Sequence, residues 1–139
     1  MVQLKGLWTA ACVVAALMLS GCSFRSAASP VTALKDADSI PSDYKGKTIP
    51  ANMDTSAGAN LFQTDCIACH GEHGHGDGPA SPALNPPPAN LVKLSQASAD
   101  NFLFWKISTG VDGTAMPAWK GVLSEEQIWQ VLAFIRTLK

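Results

Sequence analysis

Two cysteines and a histidine, Cys66, Cys69 and His70, are the residues of this sequence whose types and spacing could do chemistry. In a Cys-x-x-Cys-His pattern each thiol can add to a vinyl group of one haem, while the adjacent imidazole ligates the iron. On one helical turn the two sulfurs can reach neighbouring edges of the porphyrin, and the histidine is held next to them. The pattern therefore predicts one haem c, bound covalently through two thioethers.

Two other uses of a Cys-x-x-Cys pair compete with haem attachment. A thiol–disulfide couple has no use for the adjacent His70, and a zinc site needs two further ligands at matching spacing. The sequence contains four cysteines, and the other two, Cys12 and Cys22, lie near the N-terminus. No second pair is available to complete a zinc site, so the haem interpretation is favoured.

A second iron ligand is predicted at Met116, in the loop 113–119. This loop lies between Gly110, which is expected to end the preceding helix, and a helix-capping sequence, which is an unusual place for a methionine whose role is packing. A thioether favours Fe(II), so ligation by His70 and Met116 would raise the reduction potential relative to two histidines. His73 and His75 are further candidate ligands, but their glycine-rich loop favours solvated imidazoles.

The N-terminus has the features of a lipoprotein signal peptide. Lys5 precedes an apolar run over 7–19, which is short for a membrane span. The run ends in Leu-Ser-Gly-Cys, which resembles the bacterial lipobox. We expect residues 1–21 to be cleaved and Cys22 to be lipidated, which would anchor the protein on the periplasmic or extracellular face of a membrane. An ordinary signal peptide and a retained helix are the alternatives.

Residues 22–53 are interpreted as a lipidated tether, because they contain few large apolar residues and no sustained helical or strand period. Alternatively, this segment lies ordered across a partner subunit, with Ile40, Tyr44 and Ile49 as anchors. The folded domain is placed at 54–139. It carries five basic and eight acidic residues, a balance that argues against nucleic acid as a partner.

Three helices are predicted in this domain. The first covers 55–67 with Asp54 or Thr55 as its N-cap, and the second covers 99–108. The last begins with a capping box, formed by Ser124 and the glutamine three residues later. Apolar residues then recur at three- and four-residue steps, as in an amphipathic core helix.

The first and last helices are expected to cross at Gly58. A glycine inside a helix lowers the stability of the helix by about 1 kcal/mol relative to alanine. Close approach of a second helix, which a side chain would prevent, would explain a glycine at this position. Phe62 and Phe134 are expected to meet at this crossing.

Glycines and prolines follow His70 and favour a loop up to the second helix. The proline run 86–88 is expected to form a wall over one haem edge. A carbonyl at Pro87 or Pro88 is expected to accept the other ring N–H of the histidine and fix its tautomer. The apolar residues expected to enclose the haem are Leu61, Phe62, Trp105, Trp119 and Leu132.

Taken together, these motifs resemble the class I cytochromes c. The residues that carry the resemblance are Gly58, Leu61, Phe62, Cys66, Cys69, His70 and Gly71, then Met116 and Pro117 before a terminal helix. The resemblance covers about 54–139 and implies an all-α fold, with three to four short helices and long Gly/Pro-rich loops around one haem. The Gly-Asp-Gly-Pro loop at 76–79, together with the lipobox, further resembles the mono-haem lipoprotein subunit of the quinol-oxidising alternative complex III.

This resemblance implies an electron carrier rather than an enzyme. With both axial positions filled, no substrate site is open, and we expect outer-sphere transfer of single electrons. The expected partner is a membrane-bound redox protein or multi-subunit oxidoreductase, with no small-molecule substrate. A free-standing lipid-anchored shuttle to an oxidase or from a dehydrogenase is the first alternative. A peroxidase or a gas sensor would need the Met116 side of the haem to open.

Overall fold

The computed structural model describes residues 39–139, so the predicted signal peptide and Cys22 lie outside the described residues. The helices of this part are α1 (Thr55–Asp65), α2 (Ile67–His70), α3 (Leu91–Ala97), α4 (Asp100–Thr109) and α5 (Glu125–Ile135), with 3-10 turns at Ser42–Tyr44 and Ser81–Ala83. Over 39–139 there is no β-strand, which agrees with the predicted all-α fold. None of the described helices has the length and apolar character needed to cross a membrane.

Asp54 is the N-cap of α1, as predicted. Its carboxylate accepts the amides of Ser56 and Ala57 at 2.9 and 3.1 Å, which satisfies two of the free N–H groups at the helix start. The helix predicted over 55–67 is interrupted, however. Cys66 has φ −116°, far from the helical value of about −63°, and it separates α1 from the short helix α2.

The predicted crossing of the first and last helices is confirmed at Gly58. A Cβ at this position would overlap the carbonyl oxygen of Gln130 in α5 and lie 3.1 Å from the Cβ of Phe134. Phe62 is fully buried, and its ring centroid lies 5.2 Å from that of Phe134. The missing side chain therefore lets the two helices approach, and the two rings fill the space beside the contact.

The capping box of α5 is also confirmed. The Ser124 hydroxyl accepts the amide of Gln127 at 3.1 Å, and the Gln127 side chain accepts the amide of Ser124 at 2.8 Å. Trp129 in α5 stacks on Phe104 in α4, with centroids 3.9 Å apart. The buried residues of α5 are Ile128, Trp129, Val131, Leu132, Ala133 and Ile135. Because both of its faces are covered, α5 is the central helix of the domain.

The helix α3 lies in a stretch for which the glycines and prolines after His70 predict a loop. Asn90 caps it by accepting the amide of Lys93 at 3.0 Å, and Leu91 and Leu94 pack into the core. The prediction is wrong here because the glycines and prolines end before the cap. An Asn followed by apolar residues three apart is itself a helix-start pattern.

Arg136, just after α5, joins three elements. Its guanidinium donates to the carboxylate of Asp100 at 3.0 and 2.5 Å, to the carbonyl of Ser98 at 2.8 Å and to that of Ser95. The end of α5 is thereby tied to α3 and to the start of α4. The predicted second helix is within one residue of α4, and Gly110, with φ +75°, ends it as expected.

Residues 39–53 pack against the helices, which differs from their interpretation as the end of a tether. Ile40 is 5% exposed and belongs to the core around α4 and α5. The Tyr44 ring lies 5.9 Å from that of Phe104, and the Ile49 amide donates to Asp100 at 3.2 Å. The three residues considered as anchors on a partner thus hold the segment to its own domain. Anchors spaced in this way leave no periodic pattern in the sequence.

Candidate functional site

An apolar cavity brings together residues that the sequence singled out for haem binding. Cys66, His70 and Met116 all line it, although Met116 lies far from the other two in the sequence. Cys69 lies one turn further along α2 and is half-buried. The remaining lining residues are apolar: Phe62, Leu91, Ile107, Trp119, Leu123, Val131 and Ile135. One imidazole, one thioether and a thiol therefore converge on an otherwise apolar space.

The predicted apolar box is only partly correct, since Phe62 and Trp119 line the cavity and the other members do not. Trp105 and Leu132 belong to the core around Phe104 and Trp129, and Leu61 packs at the edge of the core around Phe62. Val131 and Ile135, four residues apart, are the α5 residues that face the cavity. The buried apolar residues of α5 are shared between two cores, so its sequence does not show which of them will meet a ligand.

The loop after His70 is an ordered part of the site. A four-residue helix such as α2 cannot satisfy its last carbonyls internally. Backbone amides from the loop supply the missing donors, so the glycine-rich segment holds α2 in place. In each pair the carbonyl is named first and the amide second: Ile67 and Gly71 (2.9 Å), Ala68 and Ala80 (2.8 Å), Cys69 and Gly78 (3.2 Å), His70 and Gly76 (2.8 Å).

The Nδ1 atom of His70 lies 3.1 Å from the carbonyl oxygen of Ala89 and can donate its proton there. The prediction of a carbonyl at Pro87 or Pro88 is wrong by one residue, because composition does not show which carbonyl of a bend faces the ring. The contact fixes the tautomer and leaves Nε2 as the nitrogen free to bind a metal. Burial lowers the pKa of His70, against the opposing effect of the Ala89 hydrogen bond, which favours the neutral ring that a metal ligand requires.

The backbone around Met116 is held in a defined turn. Its amide donates to the Thr114 hydroxyl at 3.1 Å, and that hydroxyl donates to the Val111 carbonyl at 2.7 Å. The Met116 carbonyl accepts the Val111 amide at 3.2 Å. The loop is also joined to α4 by the Trp119 amide, which donates to the Ile107 carbonyl at 3.1 Å. The backbone of Met116 is thus held by hydrogen bonds on both sides, although its loop is irregular.

The thiols fit haem attachment better than the competing uses of a cysteine pair. Burial, with a smaller contribution from Asp65, raises the pKa of the Cys66 thiol to about 12, which disfavours the thiolate that disulfide exchange and zinc binding require. Among residues 39–139, no group of three His, Cys, Asp or Glu side chains is placed to hold a metal ion. His73 and His75 are exposed, as expected, and neither lines the cavity.

Comparisons with known proteins agree with this geometry. A family model described as "Cytochrome C oxidase, cbb3-type, subunit III" matches residues 53–135. The cbb3-type cytochrome c oxidase subunit FixP of Bradyrhizobium sp. (strain ORS 278) is 31% identical over 85 residues, which cover 61% of this chain and 28% of FixP. Thiosulfate dehydrogenase of Allochromatium vinosum is 30% identical over 128 residues, which cover 86% of this chain and 43% of that protein. The chain spans less than half the length of either relative.

A solved structure, the Kuenenia stuttgartiensis reducing HAO-like protein complex Kustc0457/Kustc0458, contains a chain with a similar fold. The TM-score is 0.52 at 22% identity, over 62% of this chain and 44% of that chain. The family model covers more than half of the sequence, and its region includes both the Cys-x-x-Cys-His motif and Met116. The chain therefore belongs to the cytochrome c family, in the group of the cbb3-type subunit III domain, which implies a covalently bound haem c and a role in electron transfer.

Proposed function

We propose that this chain is a mono-haem c-type cytochrome that carries one electron at a time and catalyses no reaction of its own. The observation that carries the proposal is the convergence of Cys66, His70 and Met116 on one apolar cavity. We assign the two thioether bonds to Cys66 and Cys69, and the axial ligation to His70 and Met116. Bound in this cavity, haem c would supply one iron that accepts and releases an electron.

The chain's own contribution is to hold the ligands still and to keep water out. The Ala89 carbonyl orients the imidazole of His70, and the turn around Met116 holds the thioether on a fixed backbone. The apolar walls lower the local dielectric. Fixed ligands and dry surroundings reduce the rearrangement that accompanies each change of charge, which suits repeated electron transfer.

A peroxidase or a gas sensor is less well supported by the same site. Either activity requires the Met116 side of the haem to open for a peroxide or a diatomic ligand. The bonds that link Met116 to Thr114 and Val111, and the loop to α4, would have to break or stretch for this to happen. The geometry therefore favours a methionine ligand that stays in place.

We further propose that the protein works on the outer face of a bacterial membrane, anchored through a lipid on Cys22. The lipobox-like sequence before Cys22 supports the anchor. The similarity to FixP, by its name an oxidase subunit, supports a role inside a larger redox complex. The 76–79 loop favours a quinol-oxidising respiratory or photosynthetic complex similar to alternative complex III. The second candidate is a lipid-anchored shuttle to a terminal oxidase or from a periplasmic dehydrogenase.

Haem attachment is tested by replacing Cys66 and Cys69 together with alanine. The double variant should lose the haem stain on a denaturing gel, because both thioethers come from these thiols. A variant in which His73 and His75 are both replaced by alanine is the matched control, and it should stain like the wild type. A stained Cys66→Ala/Cys69→Ala protein would show that the attachment site is elsewhere.

The membrane anchor is tested by Cys22→Ser, exported with a cleavable signal peptide. Two or more acyl chains anchor a protein stably where one binds only marginally. The variant should therefore be released as a soluble cytochrome with an unchanged spectrum and potential, and with slower turnover in native membranes. Retention of the variant after a high-salt wash would contradict lipidation. Release with full turnover would instead indicate a diffusible shuttle.

A further inference from the structure

Gly76 lies where the loop after His70 meets the proline-rich segment that precedes α3. Its amide donates to the carbonyl of His70 at 2.8 Å, and its own carbonyl accepts the Ser81 hydroxyl at 2.7 Å. Its φ of +81° lies in the left-handed region that favours glycine. The backbone at this point is therefore fixed from both sides.

The bare Cα of Gly76 is also in contact with the proline-rich segment. A Cβ at this position would overlap the carbonyl oxygen of Pro88 and lie 3.2 Å from both the carbonyl carbon and the oxygen of Ala89. That Ala89 oxygen is the atom that accepts Nδ1–H of His70 at 3.1 Å. A side chain at Gly76 would therefore press against the segment that carries the acceptor of His70.

We propose that Gly76 is a positioning residue for His70: its lack of a side chain sets the Ala89 carbonyl at hydrogen-bonding distance from the imidazole and thereby tunes the reduction potential of the bound haem. The inference rests on the proposed function, since it takes His70 as an axial ligand. A hydrogen bond from Nδ1–H raises the basicity of the ligating imidazole. A more basic ligand favours the more highly charged, oxidised iron, so weakening this bond raises the potential.

Gly76→Ala tests the proposal in the full-length, haem-loaded protein. The carbonyls of Pro88 and Ala89 must move away from the new methyl group, so the hydrogen bond to His70 lengthens. We expect covalent haem to be retained, Nδ1–H of His70 to exchange faster with deuterium by NMR, and the midpoint potential to rise. The rise is about 59 mV for each tenfold loss in the relative stability of the oxidised state.

Gly46→Ala is the matched control for backbone strain. Gly46 has φ +71°, and a Cβ there would meet nothing within 4 Å. The control variant therefore introduces an alanine into the same left-handed region without displacing any neighbour. Its midpoint potential and its Nδ1–H exchange rate should equal those of the wild type.

Ser81→Ala is a milder second variant, because it removes the hydrogen bond to the Gly76 carbonyl without adding atoms. It should change the potential and the exchange rate in the same direction and by less. Wild-type values in Gly76→Ala would overturn the proposal. If Gly76→Ala does not assemble with haem, wild-type values in Ser81→Ala would overturn it. A wild-type protein without covalent haem, or without methionine ligation, would instead overturn the proposed function.

Discussion

Replacing Gly58 by alanine is expected to destabilise the domain, although alanine is the better helix former by about 1 kcal/mol. The added Cβ would overlap the carbonyl oxygen of Gln130 and lie 3.1 Å from the Cβ of Phe134. The first obstacle is backbone of α5, which cannot rotate away as a side chain could. The two helices must separate, and overpacking of this kind costs about 1–3 kcal/mol.

We place the cost at the upper end of that range, because the obstacle is backbone and because separation also weakens the contact between Phe62 and Phe134. Subtracting the helix propensity gained leaves a net loss of about 2 kcal/mol. For a domain of this size the melting temperature should fall by roughly 10 °C.

The assay is thermal unfolding of the haem-loaded protein, followed by far-UV circular dichroism. Asn60→Ala, on the exposed side of α1, is the control and should be at least as stable as the wild type. A Gly58→Ala protein with wild-type stability would refute the reasoning.

Three further predictions concern contacts outside this crossing. Ser124→Ala should cost about 1 kcal/mol of stability, the usual value of an N-cap. Ser124→Ala should also lower the temperature at which the far-red band of Fe–Met ligation disappears, because the loop that carries Met116 leads into this cap. If the band disappears at the same temperature in both proteins, the cap does not stabilise the methionine ligation. Arg136→Lys keeps the charge but loses the guanidinium fork that reaches a carboxylate and two carbonyls. A urea titration should therefore show a free energy of unfolding lower by about 1–3 kcal/mol. Unchanged stability would contradict the role of Arg136 in joining the helices. The hydrogen bond from Lys47 lowers the pKa of Glu125, so the pair contributes a small, salt-screened stabilisation at neutral pH that is lost as the pH falls through the lowered pKa. Lys47→Ala should remove this part of the protein's acid sensitivity. An unchanged dependence of stability on pH would argue against the pair.

The features that could be predicted from the sequence are of two kinds: those determined by residues within one helical turn of each other, and those that require a residue without a side chain. The caps at Asp54 and Ser124 depend on residues two or three positions away, and the structure shows both. Gly58 indicated a close helix crossing because a buried glycine is otherwise unfavourable in a helix. The Cys-x-x-Cys-His spacing and the position of Met116 indicated Cys66, His70 and Met116, which line one cavity.

The features that could not be predicted depend on contacts between distant segments. The acceptor for His70 is Ala89, and only the path of the loop decides which carbonyl reaches the ring. Leu132 lies in the core opposite the predicted haem site, because the apolar residues of α5 are shared between two cores. Residues 39–53 pack on the helices through isolated anchors that have no period. The helix α3 could have been predicted, since Asn90 and the leucines after it are a start signal that the preceding prolines obscured.

The reduction potential of Met116→His, measured beside the wild type, tests the central claim most directly, because the claim pairs this residue with His70 across the haem. Imidazole donates more strongly to Fe(III) than a thioether does, so an exchange of ligand must stabilise the oxidised state. We predict that the variant retains a six-coordinate, low-spin spectrum, loses the far-red band of methionine ligation and has a substantially lower midpoint potential. A variant with the wild-type potential and an intact far-red band would show that Met116 is not the ligand and would contradict the account.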